Sequence, residues 1–201
     1  MRKVKDHYFH KAKREGFAAR SVYKLEEIDR KHRLIRGGMR VLELGCAPGS
    51  WLQYTLSKVG PSGRVTGVDL QPMTAGLKGE QATHVRIIQG DVFDIDIQEL
   101  QEEGQPFDLV LSDMAPGTTG IKSADAIRSA ALSEQALNLA LAVLRPGGSL
   151  LVKVFESGAL PALRKAFQTH FNSVTLEKPS ATRSESVEVF LLGKNRKQLP
   201  G

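Results

Sequence analysis

The chain has 201 residues, 41% of them hydrophobic, enough for one core of ordinary domain size and too few for two. No run of about 18 apolar residues is available to span a bilayer. The basic start Met1-Arg2-Lys3-Val4-Lys5 leads into His7, His10 and Lys11, where a secretory signal needs an apolar stretch. A single cysteine, Cys46, excludes an internal disulfide and a cysteine-rich zinc site, and it fits a reducing cytoplasm. No metal is expected. His7 and His10 make a weak pair, better suited to solvent or phosphate than to a metal ion.

The formal charge of +6 is unevenly placed. Residues 1–36 hold 12 Lys and Arg against 5 Asp and Glu, while the remaining 165 residues sum to −1. Such a segment suits a polyanionic partner. A solubilising helical face is the plainer alternative, because Asp6, Glu15, Glu26, Glu27 and Asp29 dilute the run. Within it, Val22, Leu25 and Ile28 at three-residue spacing predict a helix over residues 17–32, ended by Gly37-Gly38.

Short β-branched runs then alternate with helical ones. Arg40–Leu44, Arg64–Val68, Val85–Gln89, Phe107–Leu111 and Ser149–Val154 are predicted buried strands, and Trp51–Val59, Ile95–Glu103 and Ala124–Leu144 are predicted crossover helices. This alternation implies an α/β fold with a mostly parallel sheet covered by helices on both faces. Ser173–Glu177 and Val187–Leu192 are two later strand candidates, and Lys194, Arg196 and Lys197 read as a frayed basic tail. The basic segment 1–36, with its helix, is expected to belong to the same domain as residues 37–201.

The first strand runs into Glu43-Leu44-Gly45-Cys46-Ala47-Pro48-Gly49-Ser50-Trp51. In doubly wound sheets this turn lies beside a ligand, and glycine lets the ligand meet the backbone. Gly45 and Gly49 are four apart and residue 47 is alanine, so the turn is not the G-x-G-x-x-G that wraps a pyrophosphate. It suits a nucleoside with a small cationic substituent, which argues against a nicotinamide-dependent oxidoreductase. Asp69 ends the second strand, where a carboxylate can accept from both ribose hydroxyls of an adenosine. Asp91 ends the third, where it can accept from an adenine amino group. An aspartate after a strand is also a common turn or cap residue. Asp113 follows the fourth strand, and Lys153 lies inside the apolar Leu150-Leu151-Val152-Lys153-Val154. Parallel neighbours would bring both to one carboxyl edge. Burial of the lysine would free its amine to act as a base, whereas an edge strand would let it snorkel to solvent.

Tyr23-Lys24-Leu25, Pro48-Gly49-Ser50-Trp51, Asp69-Leu70-Gln71-Pro72, Ser112-Asp113-Met114-Ala115-Pro116 and Val152-Lys153-Val154-Phe155 together resemble the FtsJ-type RNA ribose 2′-O-methyltransferases, in order and spacing, from about Arg20 to Gly193. The resemblance is nearest to the bacterial branch that acts on large-subunit ribosomal RNA. It implies a single-domain Rossmann-like fold of seven strands, the last antiparallel, and S-adenosyl-L-methionine as cofactor. Gly49, Trp51, Asp69, Asp91 and Asp113 are then cofactor residues, with Gly45 in the same turn. The family's Lys–Asp–Lys–Glu tetrad falls on Lys24, Asp113, Lys153 and Glu188. By the same resemblance Lys153 is the general base, Asp113 orients it, and Lys24 and Glu188 orient the acceptor ribose. The implied reaction methylates a uridine 2′-hydroxyl of ribosomal RNA, within the large subunit, by a cytoplasmic monomer with no membrane partner. Two competitors keep the fold: the same transfer onto transfer RNA, a messenger cap or small-subunit RNA, and a non-catalytic ribosome assembly factor. About 35 residues before the first strand are too few for the extra RNA-binding domain of the haemolysin-like branch. The chain departs from its resemblance at Gly117, often asparagine in relatives, and over Ser180–Val187, where Arg183 stands beside Glu185 and Val187.

Overall fold

Apolar five-residue runs joined by helices have one economical solution, a sheet buried on both faces. The computed structural model describes residues 2–77, 79–101, 104–117, 119–182 and 186–198. Its strands are β1 (Arg40–Leu44), β2 (Arg64–Asp69), β3 (Val85–Gln89), β4 (Phe107–Ser112), β5 (Leu144–Phe155), β6 (Phe171–Glu177) and β7 (Glu188–Arg196). They stand in one sheet in the order β3-β2-β1-β4-β5-β7-β6. β1 to β5 are parallel, and β7 runs antiparallel between β5 and β6. The direction of winding reverses between β1 and β4, which opens a crevice beyond their carboxyl ends.

The helices are α1 (Arg2–Glu15), α2 (Val22–His32), α3 (Ser50–Val59), α4 (Ile97–Leu100), α5 (Lys122–Val143) and α6 (Leu160–His170). The pleat divides the core between them. Val41, Leu109, Leu111, Leu151 and Phe190 face α1, α2 and α3, against Ala12, Tyr23, Leu25, Ile28 and Trp51. Leu42, Leu44, Val110, Leu150 and Val152 face α5 and α6, against Ala136, Ala140, Leu163 and Phe167. Each of the fully buried Leu and Phe side chains contributes roughly 1.5–3 kcal/mol over its exposed state. No helix among the described residues is long and apolar enough to cross a membrane.

Three hydrogen bonds lock α2 and its flanking Ser21 to α3. Buried Asp29 accepts from the Ile35 N–H at 2.7 Å and the Tyr54 hydroxyl at 2.8 Å. The Trp51 indole donates to the Ser21 carbonyl at 2.9 Å, and the Ser21 and Ser50 hydroxyls meet at 2.9 Å.

Several boundaries differ from the sequence reading, each for a local reason. α2 begins at Val22, because residues 17–21 turn the chain away from α1. The helix predicted over Ile95–Glu103 is the single turn α4, started by Asp96 accepting from the Gln98 N–H; Glu102 and Glu103 lie outside the described residues. β5 begins five residues early, at Leu144. It passes through Pro146-Gly147-Gly148 as an irregularity in which two steps along β4 match five along β5. The C-terminal basic residues are not a frayed tail. Lys194 and Arg196 belong to β7, the Lys197 N–H donates to the His170 carbonyl at 2.8 Å, and the Arg196 guanidinium caps the Leu144 carbonyl.

Candidate active site

The crevice is a cavity of about 540 Å³ at the carboxyl edge. Gly45 and Ala47 after β1, Asp69 and Leu70 after β2, Gly90 to Phe93 after β3 and Asp113 to Gly117 after β4 line it, with Arg128, Ala131 and Leu132 of α5 as its far wall. That size is ordinary for a small-molecule site. Asp69 is held by its own loop: Oδ2 accepts from the Ala47 N–H and Oδ1 from the Gln71 N–H, both at 2.8 Å. Asp91 Oδ1 accepts from the Phe93 N–H at 3.0 Å. A carboxylate oxygen takes about two hydrogen bonds, so each of these groups keeps acceptor capacity for a ligand. Gly45 has φ +77°, and a Cβ there would come within 2.8 Å of the Met114 side chain. Only glycine fits that approach.

Beside the cavity four charged side chains alternate in sign. Lys153, 7% exposed, donates to the Asp113 carbonyl at 2.5 Å and to Asp113 Oδ1 at 2.9 Å. Its Nζ lies 4.0 Å from Glu188 Oε1, and Lys24 Nζ donates to Glu188 Oε2 at 2.7 Å. Strand register produces this row. Ser112 pairs with Val152, so Asp113 and Lys153 leave parallel neighbours together, and Phe155 pairs with Glu188 on the other side of β5. Burial pushes the Glu188 carboxyl up, but Lys24 and then Lys153 outweigh it and hold it below the usual carboxylate range. Glu188 therefore stays ionised through neutral pH. Two N–H donors of Lys153 are spent on Asp113, and Glu188 is beyond hydrogen-bond reach, so one tetrahedral position on Nζ is open.

The structure brings Lys24, Asp113, Lys153 and Glu188 together, and it puts Gly45, Asp69, Asp91 and Asp113 on the cavity. Asp113 belongs to both sets. Gly49 and Trp51 are elsewhere. Gly49 opens α3 with φ +111°, and a Cβ on it would meet Ala75 at 2.5 Å. Trp51 is 2% exposed, its ring 5.8 Å from that of Phe190, its N–H given to Ser21. It anchors the start of α2, which carries Lys24 less than a turn further on.

A sequence profile of the FtsJ-like methyltransferase family matches residues 17–196. The chain belongs to that family. The "Ribosomal RNA large subunit methyltransferase E" of Desulfatibacillum aliphaticivorans is 48% identical over 193 residues, 96% of this chain and 91% of the relative. A crystal structure from Plasmodium falciparum, assigned as a ribosomal RNA methyltransferase, superimposes with TM-score 0.75 at 25% identity, covering 90% of this chain and 98% of that one. The fibrillarin of Aeropyrum pernix, solved with natively bound S-adenosyl-L-methionine, shares the fold alone: TM-score 0.60, 18% identity, 86% of this chain and 76% of that one.

In this FtsJ-like chain one group at the site lies outside the roles that the motifs imply. Glu43, in the middle of Val41-Leu42-Glu43-Leu44, is fully buried, and among the described residues neither carboxyl oxygen has a hydrogen-bond partner. The signal was present: an acid within a strand buried on both faces has to be neutralised or paired.

Proposed function

We propose that the chain transfers a methyl group from S-adenosylmethionine to a ribose 2′-hydroxyl, that of a uridine in large-subunit ribosomal RNA. The observation that carries this reading is the double position of Asp113, which lines the cavity with one flank and holds Lys153 with the other. A cofactor in the cavity and a base at its edge would be joined through one residue. The substrate class rests on the relative that shares 48% of its residues over nearly the whole of both chains. The same reading has it act as a cytoplasmic monomer, on the subunit or its RNA, with no membrane involved.

The residues present fit the cofactor. Asp69 has acceptor capacity for ribose hydroxyls, Asp91 Oδ2 accepts from no described residue and can take an adenine amino group, and Phe93, Met114 and Leu132 offer an apolar slot for a flat base. Three carboxylates against Arg128 give the cavity the sign that a sulfonium requires. Gly45 keeps the first turn thin, and Gly49 and Trp51 shape the turn from behind. When bound, the cofactor supplies an electrophilic methyl group for in-line displacement, so placement of the acceptor provides much of the acceleration.

A ribose hydroxyl is a poor nucleophile until its proton is taken. Lys153 is the group to take it. In its neutral form both N–H donors can stay on Asp113, which leaves the lone pair at the open tetrahedral position. The ammonium that forms is stabilised by Asp113 at 2.9 Å and Glu188 at 4.0 Å. Lys24 fixes Glu188 and keeps the row of four near neutrality, and the two together flank the acceptor ribose.

α1 and its exposed Lys13 and Arg14 give the RNA an electrostatic grip. Arg2, Lys3 and Lys5 belong to the same basic run, but their side chains lie outside the described residues, as do Arg183 and Glu185. α1 is also part of the core through Ala12 and Tyr8, so removing it would unsettle the fold, and substitution is the cleaner probe. Lys13→Gln with Arg14→Gln should weaken RNA binding at low salt and flatten its salt dependence by about 1–1.5 in log–log slope, at ~0.7 per lost phosphate contact. Cofactor affinity should not change. An unaltered salt slope would place the grip on the loops at the sheet edge.

Ribose-methylation mapping in cells that lack this protein tests the substrate. One 2′-O-methyl group should disappear from large-subunit RNA, with transfer and small-subunit RNA intact. A loss confined to either of those RNAs would move the proposal to that substrate.

A further inference from the structure

Glu43 lies on the sheet face that also carries Asp113, Lys153 and Glu188. In β1 it pairs with Gly67 of β2 and Leu111 of β4, two residues before Asp113. Two residues after it is Gly45, on the cavity wall. The carboxyl is therefore one layer beneath the cavity floor, fully buried and, among the described residues, without a hydrogen-bond partner on either oxygen. A buried carboxylate in that condition is strongly disfavoured.

Its neighbours make ionisation harder still. Burial is the largest influence holding its proton on, Asp113 of β4 is the next, and Asp69 at the end of β2 adds to both. The Leu52 N–H in the first turn of α3 opposes them, without closing a hydrogen bond of ordinary geometry. The thiol of Cys46, in the loop just after β1, is itself pushed up to about 12, chiefly by burial, and is neutral. Lys153, beyond Asp113, has both of its hydrogen bonds on that residue. The charged groups that act most on Glu43 are thus both anionic, and both line the cavity.

We propose that Glu43 is the proton-linked counterpart of the cofactor's charge, a neutral acid in the cofactor-free protein that releases its proton to solvent as a sulfonium enters the cavity above it. This rests on the cofactor assignment made above. A positive charge in a low-dielectric site acts strongly on a nearby carboxyl, and here it also offsets Asp69 and Asp113, the two groups that keep Glu43 protonated. S-adenosylmethionine carries that charge, and S-adenosylhomocysteine, its thioether product, does not. Release of one proton on binding, and its return when the charge is lost in transfer, would favour the substrate form of the cofactor over the spent one.

The test is calorimetry on the full chain in buffers of different ionisation enthalpy, which counts protons exchanged on binding. Wild-type protein near neutral pH should release up to one proton with S-adenosylmethionine and none with S-adenosylhomocysteine. Its preference for the first ligand should grow with pH, by up to about tenfold per unit, the limit for one linked proton. Glu43→Gln should release none with either ligand and show a flat preference. A second readout needs no ligand: an acid kept protonated in the fold but ionised when unfolded loses stability as pH rises above the ordinary carboxylate range, so Glu43→Gln should gain melting temperature over wild type toward neutral pH. Equal proton release by wild type and Glu43→Gln, or none by wild type with S-adenosylmethionine, overturns the proposal. Should the variant fail to fold, the wild-type contrast between the two ligands decides, and equal counts overturn it. Failure of wild-type protein to bind either ligand removes the cofactor assignment itself, and this proposal with it.

Discussion

Replacing Lys153 by alanine should lower the single-turnover rate of methyl transfer by roughly 10²–10⁴-fold, the range expected for loss of a general base, without weakening cofactor binding. The rate should fall because Lys153 holds the open position next to Asp113, and no other described group with a proton-accepting nitrogen stands in the row except Lys24, which is committed to Glu188 at 2.7 Å. Cofactor affinity should hold because Lys153 is not on the cavity wall, and removing a cation beside it cannot disfavour a cationic ligand. Lys153→Arg separates charge from basicity. A guanidinium keeps the positive charge between Asp113 and Glu188 but does not deprotonate in a protein, so this variant should be as inactive as alanine. Removing one partner of a buried charged row also costs stability, on the order of 3–5 kcal/mol, so thermal unfolding of the alanine variant has to accompany the kinetics. A Lys153→Arg protein that transfers methyl at close to the wild-type rate would falsify the assignment of the base.

Asp69→Ala should weaken cofactor binding by at least ~1–3 kcal/mol, because two ribose hydroxyls lose a charged acceptor. That corresponds to roughly 5- to 150-fold in Kd. RNA affinity should barely move. Asp69 also secures the Ala47 and Gln71 N–H groups at 2.8 Å, so part of the loss will come through a looser loop. Asp69→Asn makes the point more sharply. Its amide nitrogen cannot accept, so one of the two loop bonds is lost with the charge while the side-chain volume is kept. Calorimetry that finds wild-type affinity in both variants would leave Asp69 as a turn residue only.

The bounds of β1 and β3 were legible in the sequence to the residue, because Arg40–Leu44 and Val85–Gln89 are short runs with clear stops, but β3, expected to be buried, is an edge strand in which only Ile88 is buried. The sequence predicts a shorter β5 because Pro146-Gly147-Gly148 has the composition of a turn, and only pairing with β4 keeps it in the sheet. α6 is not among the predicted elements although Leu160, Leu163 and Phe167 have helical spacing and a proline sits in its first turn; a basic, polar surface masks the pattern. Within the site, Asp113 and Lys153 could be placed by strand order alone. The meeting of Lys24 with Glu188 could not, because 164 residues separate them and the contact depends on α2 docking over β7. Trp51 illustrates the opposite limit. The family resemblance implied a ligand contact for it, whereas the structure packs its indole in the core against Phe190 with the N–H given to Ser21. Glu43 was visible as an acid among apolar neighbours, yet its isolation follows only from the three-dimensional absence of a partner.

The most direct measurement of the central claim is chemical identification of the product. Large ribosomal subunits from cells lacking the protein are incubated with the purified chain and methyl-labelled S-adenosylmethionine, and the recovered RNA is hydrolysed in alkali. A 2′-O-methyl group removes the hydroxyl that attacks the adjacent phosphodiester, so the label should appear in an alkali-resistant dinucleotide from large-subunit RNA and be absent when Lys153→Arg replaces wild-type protein. Label released as a methylated base in an alkali-sensitive mononucleotide would contradict the account.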